Sequence, residues 1–194
     1  MINLNNRSEL LKIDQGHALG SIEQLPQQCE QAFSEVSKIT LPNSYKEVNN
    51  IVVCGMGASW LGAHIMQGLL ADQLCVPLLV CHDYELPYWV NQHTLIIASS
   101  YSGTTEETVS ALTQAQQKGA KIITISTGGN LFEFAQKNNL PNYTFTGTFN
   151  PAKSPRLGLG YSIIAQMVLL GKLGLVTISS DEIPQAISQL KKRV

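Results

Sequence analysis

Five short, largely apolar runs punctuate the chain: NNIVVCG at 49–55, PLLVCHD at 77–83, TLIIASS at 94–100, KIITIST at 121–127 and YTFTGT at 143–148. Most are rich in β-branched residues and end on turn-forming ones, the pattern of strands buried on both faces. Between most of them lie stretches of helical length, at 58–71, 105–118 and 130–138, and a long one follows at about 157–173. Apolar strands alternating with helices predict a parallel sheet covered on both sides. The chain therefore reads as α/β: a doubly wound parallel five-stranded sheet of flavodoxin-like order, with helices on both faces.

The flanks extend this core. Ahead of the first strand, GSIEQLPQQCEQAFSEV places Ile22, Leu25, Cys29, Ala32, Phe33 and Val36 near helical spacing, with Pro26 breaking the early part. Residues 1–45 are expected to form a helical lead-in packed on a core of residues 46–178. Residues 179–194, with SDEIPQAISQLKKRV, are expected to be a C-terminal helix or the start of a linker, and a helix that near the last residue suggests a chain cut in a linker. The run LGLGYSIIAQMVLLGKLGLVTI is apolar for about the length of a bilayer span. Gln166, Lys172 and four glycines interrupt it, so it reads as a buried core helix and not as a membrane segment.

Composition narrows the class. A length of 194 residues with 44% apolar composition suits one well-packed domain. With 13 basic and 14 acidic residues the formal charge is -1, and no basic run precedes the closing KKR, which argues against nucleic acid as a partner. Cys29, Cys54, Cys75 and Cys81 form no C-x-x-C pair, and MINLNNRSELLKIDQGHALG has neither the charged start nor the apolar centre of a signal peptide. A reduced, cytoplasmic protein is expected.

In a doubly wound sheet, ligands sit outside the carboxyl ends of the strands, where helices begin. Two junctions of this kind carry candidate chemistry. In CGMGASWLGAH, Gly55 and Gly57 allow a tight turn and a close backbone approach to an anion, and Ser59 adds a hydroxyl. A plain structural turn is a second reading. Dinucleotide binding is a third, although Trp60 replaces the third glycine of that fingerprint and no Walker Lys-Ser/Thr pair follows. In ASSYSGTTEETV, five serine and threonine hydroxyls fall within seven residues. Thr104 and Glu107 have the spacing of a capping box, which would account for one hydroxyl. Ser99, Ser100, Ser102 and Thr105 remain, and with the backbone N–H groups of a helix N-terminus they suit a phosphate dianion.

CGMGASWLG, SSYSGTTEET, ISTGG and SPRLGLGY together resemble the sugar isomerase (SIS) fold, and in particular the first half of the bifunctional phosphoglucose/phosphomannose isomerases; the lead-in IEQLPQQCEQA is similar to that family's start. The resemblance covers essentially the whole chain and makes residues 46–178 an SIS domain. It implies that Gly57 and Ser59 are ligand residues of the first loop, and that Ser100, Ser102 and Thr105 cradle the phosphate of a sugar 6-phosphate. It makes Arg156 the catalytic arginine near the reacting carbons. Exchange of aldose and ketose through a cis-enediol builds negative charge on oxygen, which a guanidinium stabilises. No cofactor and no metal is implied; a homodimer or a second SIS domain is the implied partner. A surface arginine before a helix remains the plain reading of Arg156.

The chain departs from the family in two ways. Ala58 stands where the family usually has glycine. The family takes its base glutamate, ring-opening histidine and a further lysine from a second SIS domain, which these 194 residues do not contain. The local substitutes are poor: Glu107 is assigned to the cap, Glu106 to solvent, and Asp83 and Glu85 to a segment away from the hydroxyls. His64 lies more than a turn beyond Ser59, and Cys81, His82 and Asp83 are adjacent strand residues pointing to opposite faces, so they make a poor metal set. The chain is expected to bind sugar phosphate without turnover. A non-catalytic module that senses a sugar phosphate or docks a partner is the alternative.

Overall fold

A computed structural model describes residue 3 and residues 5–194 of the chain. Its sheet contains β1 (Asn50–Cys54), β2 (Leu78–Cys81), β3 (Thr94–Ser99), β4 (Lys121–Ser126) and β5 (Asn142–Thr144) in the order β2-β1-β3-β4-β5. Every pairing is parallel, as the apolar runs predict. Strand residues alternate between two cores. Ile51, Val53, Leu95, Ile97, Ile123 and Ile125 face one side, while Val52, Cys54, Ile96, Ala98 and Ile122 face the other. Period-two alternation with both sides buried explains why these runs look uniformly apolar in sequence.

The first core is covered by α3 (Leu25–Val36), α4 (Leu61–Leu69) and α7 (Leu159–Leu173). The second is covered by α5 (Glu106–Gln117) and α6 (Gly129–Lys137). Two short helices, α1 (Arg7–Ile13) and α2 (Ala18–Glu23), lead into α3, and α8 (Glu182–Lys191) packs on α3 at the end of the chain. Pro26 falls in the first turn of α3, where its missing N–H costs nothing, so the lead-in breaks at Gln24 between α2 and α3. Helix α7 carries the long apolar run; ten of its residues are buried, and no helix among the described residues is long and apolar enough to cross a membrane.

Three local expectations need correction. The fifth strand spans Asn142–Thr144, shorter than YTFTGT, because the backbone turns at Gly147 in the left-handed region. The helix expected at 58–71 opens as a tight 3-10 turn, Gly57–Trp60, before α4 begins. The capping box does not form: α5 starts at Glu106 with Thr105 as its N-cap, and no side chain caps it. The Thr104 hydroxyl instead pairs with Ser102 at 3.0 Å.

The turns after β3 and β4 touch through their backbones. Gly103 has φ +75°, and a Cβ there would lie 1.9 Å from the Gly128 carbonyl oxygen. Gly103→Ala is therefore expected to destabilise the chain by about 2 kcal/mol or more. Gly68→Ala on α4, where nothing lies within 4 Å, is expected to stabilise it by about 0.5 kcal/mol. Urea denaturation of both variants measures this; equal and small effects would mean that the two turns do not meet as described.

Candidate functional site

Strand order reverses between β1 and β3, and the carboxyl ends of both strands open into the turns that carry the candidate residues. After β1 the chain is anchored by Gly55 N–H donating to the Cys81 carbonyl at 3.2 Å. Beneath it Cys54 and Cys81 are paired in register on neighbouring strands. The Cys81 thiol beside it, and then burial, push the Cys54 thiol well up, so it stays protonated. Gly57 takes φ +56°, which turns the chain into the 3-10 segment holding Ser59.

Ser59 is buried and ties two turns together. Its Oγ accepts the Tyr101 N–H at 3.3 Å, and its carbonyl accepts Nε2 of Gln166 at 3.0 Å. Gln166 belongs to α7 and is fully buried, so one of the polar residues that interrupt the apolar run reaches the site.

The turn after β3 uses its hydroxyls in pairs. Ser100 Oγ and Thr105 Oγ1 are 2.7 Å apart, and the Gly103 N–H donates to Ser100 Oγ at 3.1 Å. Ser102 and Thr104 form the second pair, and the Thr104 N–H donates to Ser102 Oγ at 3.2 Å. Ser99 and Ser100 are buried, Thr105 is half-buried and Ser102 is exposed. The first bond of the α5 ladder is Val109 N–H to the Thr105 carbonyl at 3.0 Å. The N–H groups of residues 105–108 precede that ladder, with the positive end of the helix dipole behind them.

Tyr101 points toward β5. Its ring meets Phe145 edge-on at 5.4 Å between centroids, and its hydroxyl accepts from Asn150 Nδ2 at 2.9 Å. Burial pushes its phenol up and the Asn150 bond pulls it down, with burial the larger effect, so the hydroxyl is neutral around pH 7. The structure brings Arg156 to the same place: it lies on a 3-10 turn, Pro155–Leu157. Pro155 and Gly158 share a cavity of about 10 Å³, the size of one water, with Ser59, Ser100 and Tyr101. Arg156 is exposed, and the two ion pairs among the described residues, Arg7–Glu23 and Lys191–Glu30, leave its guanidinium unengaged.

All six sequence candidates thus sit at neighbouring turns on one end of the sheet: Gly57 and Ser59 after β1, Ser100, Ser102 and Thr105 after β3, and Arg156 before α7. The set is a group of neutral hydroxyls and N–H groups with one cation at its edge. That arrangement can hold a dianion and stabilise a second developing negative charge nearby.

Two carboxylates, Glu106 and Glu107, stand on the first turn of α5, and two imidazoles pack behind the turn that holds Ser59. Glu106 Oε2 accepts from the Tyr84 hydroxyl at 3.2 Å, which draws it toward the segment after β2. His64 and His82 both lie against Trp60, with ring centroids 4.5 and 6.1 Å from it. Among the described residues no three His, Cys, Asp or Glu side chains gather as a metal site. Sequence reasoning missed Gln28, Asn150 and the role of Gln166. Gln166 was marked by standing in an otherwise apolar run, which leaves its partner unnamed; Gln28 and Asn150 stand among other polar residues and carried no such signal.

Comparison with known proteins adds ancestry to this geometry. No family model matches the chain. It is 39% identical over 170 residues to a bifunctional phosphoglucose/phosphomannose isomerase of Caldicellulosiruptor bescii, covering 88% of this chain and 49% of that protein. It is 33% identical over 145 residues to the protein of the same name in Aquifex aeolicus, covering 74% of this chain and 42% of that one. The C-terminal domain of glucosamine-fructose-6-phosphate aminotransferase from Francisella tularensis superimposes with a TM-score of 0.68 at 14% identity, over 93% of this chain and 55% of that one, which shows a shared fold. The chain spans about half the length of the curated relatives it matches. It is an SIS domain and belongs to the family of the bifunctional phosphoglucose/phosphomannose isomerases.

Proposed function

We propose that this chain is the substrate-phosphate-binding SIS half of an aldose-ketose isomerase that interconverts glucose 6-phosphate or mannose 6-phosphate with fructose 6-phosphate. The observation that carries the reading is the cluster of Ser100, Ser102 and Thr105 hydroxyls at the uncapped start of α5, with the unengaged Arg156 on the adjoining turn. Gly57 and Ser59 close the cradle from the β1 side. The phosphate is bound through neutral donors and the helix dipole, so its charge is spread over several N–H and O–H groups.

Arg156 faces the reacting carbons and stabilises the enediol oxygen as charge builds on it. Moving the proton between the two carbons requires a base, and a second SIS domain supplies it. Homodimer formation or docking of that domain covers the apolar groove of about 430 Å³ between α4, α7 and α8, lined by Leu69, Ile164, Met167 and Ile183. A monomer in dilute solution by sedimentation would remove the homodimer. The four thiols are free, which accords with a reducing compartment, and we place the chain in the cytoplasm.

Binding to the native state alone raises its stability, by about 2.7 kcal/mol at a hundredfold excess over Kd. Fructose 6-phosphate and glucose 6-phosphate are therefore expected to raise the melting temperature, and glucose and fructose to leave it unchanged. Equal shifts from glucose and glucose 6-phosphate would refute the cradle.

A positioned base typically contributes about 10²- to 10⁴-fold to such a reaction. The isolated chain is therefore expected to give no measurable conversion of glucose 6-phosphate to fructose 6-phosphate in a coupled assay, and addition of the second half is expected to restore it. Ordinary turnover by the chain alone, lost in Glu85→Gln or His64→Ala, would show a base inside it and end the argument from the missing half.

A further inference from the structure

The segment that carries Arg156 has no regular structure of its own between β5 and its 3-10 turn, and it is fastened from a distant part of the chain. Gln28, on α3, is fully buried. Its Nε2 lies 2.8 Å from the Leu157 carbonyl, 2.9 Å from that of Phe149 and 3.2 Å from that of Ser21, and its two hydrogens serve the two nearest, Leu157 and Phe149. Its Oε1 accepts the Gly160 N–H at 3.2 Å. Phe149 and Leu157 bracket the stretch that includes Arg156, so one side chain holds both ends of it.

Three further bonds fix the middle. Asn150 Nδ2 donates to the Ser154 carbonyl at 2.8 Å as well as to the Tyr101 hydroxyl, and the Ala152 N–H donates to Ser21 Oγ at 2.9 Å. Close packing lets the Gln28 amide reach: a Cβ on Gly160 would lie 2.7 Å from the Gln28 Cβ. An apolar side chain of the same size would fill the space and leave two carbonyls and one N–H short of a partner.

We propose that Gln28 is a positioning residue for the site: it acts through the 149–160 segment to set Arg156 against the hydroxyl cradle, and so governs how strongly the chain grips negative charge at the reacting end of a sugar phosphate. The ligand part of this proposal rests on the sugar-phosphate reading above. The expected signature is a loss of charge discrimination, separate from any loss of stability.

Two probes of equal length and one shared phosphate measure it: 6-phosphogluconate, which carries a carboxylate at the reacting end, and glucitol 6-phosphate, which is neutral there. The full 194-residue chain is expected to prefer the carboxylate, and Gln28→Met and Arg156→Leu are each expected to cut that preference by about tenfold. In the double variant the two losses should not add, because one residue acts through the other. A mere loss of folded protein would weaken both probes equally, leave the ratio intact and overturn the proposal; so would additive losses.

Hydrogen exchange tests the clamp without a ligand. Gln28→Met should speed exchange across 149–160 while β3 and β4 stay protected, and unchanged exchange there would overturn the clamp. Ser21→Ala removes the bond from the Ala152 N–H and the hydroxyl's own local bond to the His17 carbonyl, leaves Gln28 in place, and serves as the milder variant should Gln28→Met fail to fold; it should move both readouts the same way, and no movement in either would overturn the proposal. If the parent chain binds neither probe, the sugar-phosphate reading falls first and takes the ligand part of this proposal with it, while exchange still decides the clamp.

Discussion

Two backbone turns, after β3 and after β4, press against each other at glycine, and the shape of the site depends on that contact. Gly103 sits in the left-handed region with the Gly128 carbonyl where its side chain would be, and Gly129, also left-handed, lies against the Ser102 carbonyl. The Leu131 N–H donates to the Gly103 carbonyl at 3.0 Å, so the first turn of α6 holds the turn that precedes α5. Held this way, the Gly103 N–H turns back onto Ser100 Oγ. The hydroxyls then satisfy one another in pairs, and the start of α5 is left uncapped. A side chain at Gly103 would meet the Gly128 carbonyl and one at Gly129 the Ser102 carbonyl, so either would push the turns apart.

The same economy governs the buried amides. Gln28 and Gln166 lie within packed helices, where an unpartnered polar group costs about 1–3 kcal/mol. Gln28 spends both amide atoms on the segment carrying Arg156 and the start of α7, whereas Gln166 gives its Nε2 to the Ser59 carbonyl and keeps a buried Oε1 without a protein partner. Helix α7 joins the two systems, since it bears Gln166 and begins beside Gly160. The sheet supplies rigidity, and the irregular turns borrow it through these side chains. Such networks specify one arrangement because any alternative leaves several of their members unpaired.

The sheet and its helices were legible because burial on both faces makes strands such as TLIIASS continuous in apolar character, and crossover helices follow at regular intervals. The site turns were legible as a concentration of hydroxyls after Ala98 and of glycines after Cys54, and Arg156 through its motif. Spacing alone misread the start of α5. Thr104 and Glu107 have the separation of a capping box, yet Thr104 pairs with Ser102 two residues back, in a turn held against the one between β4 and α6. Gln28 was visible only as a polar residue on an amphipathic helix. Its partners lie 121 and 129 residues away, and no local pattern encodes that distance.

On the proposed function, the phosphate of a sugar phosphate binds among the hydroxyls and N–H groups that open α5. A titration of the isotopically labelled chain with fructose 6-phosphate, followed by backbone amide NMR, tests it most directly. The amides of residues 100–108 and 56–60 are expected to shift together in a saturable manner, with the Arg156 side-chain signal following. Shifts confined to the apolar groove under α8, or the same pattern with unphosphorylated fructose, would contradict it.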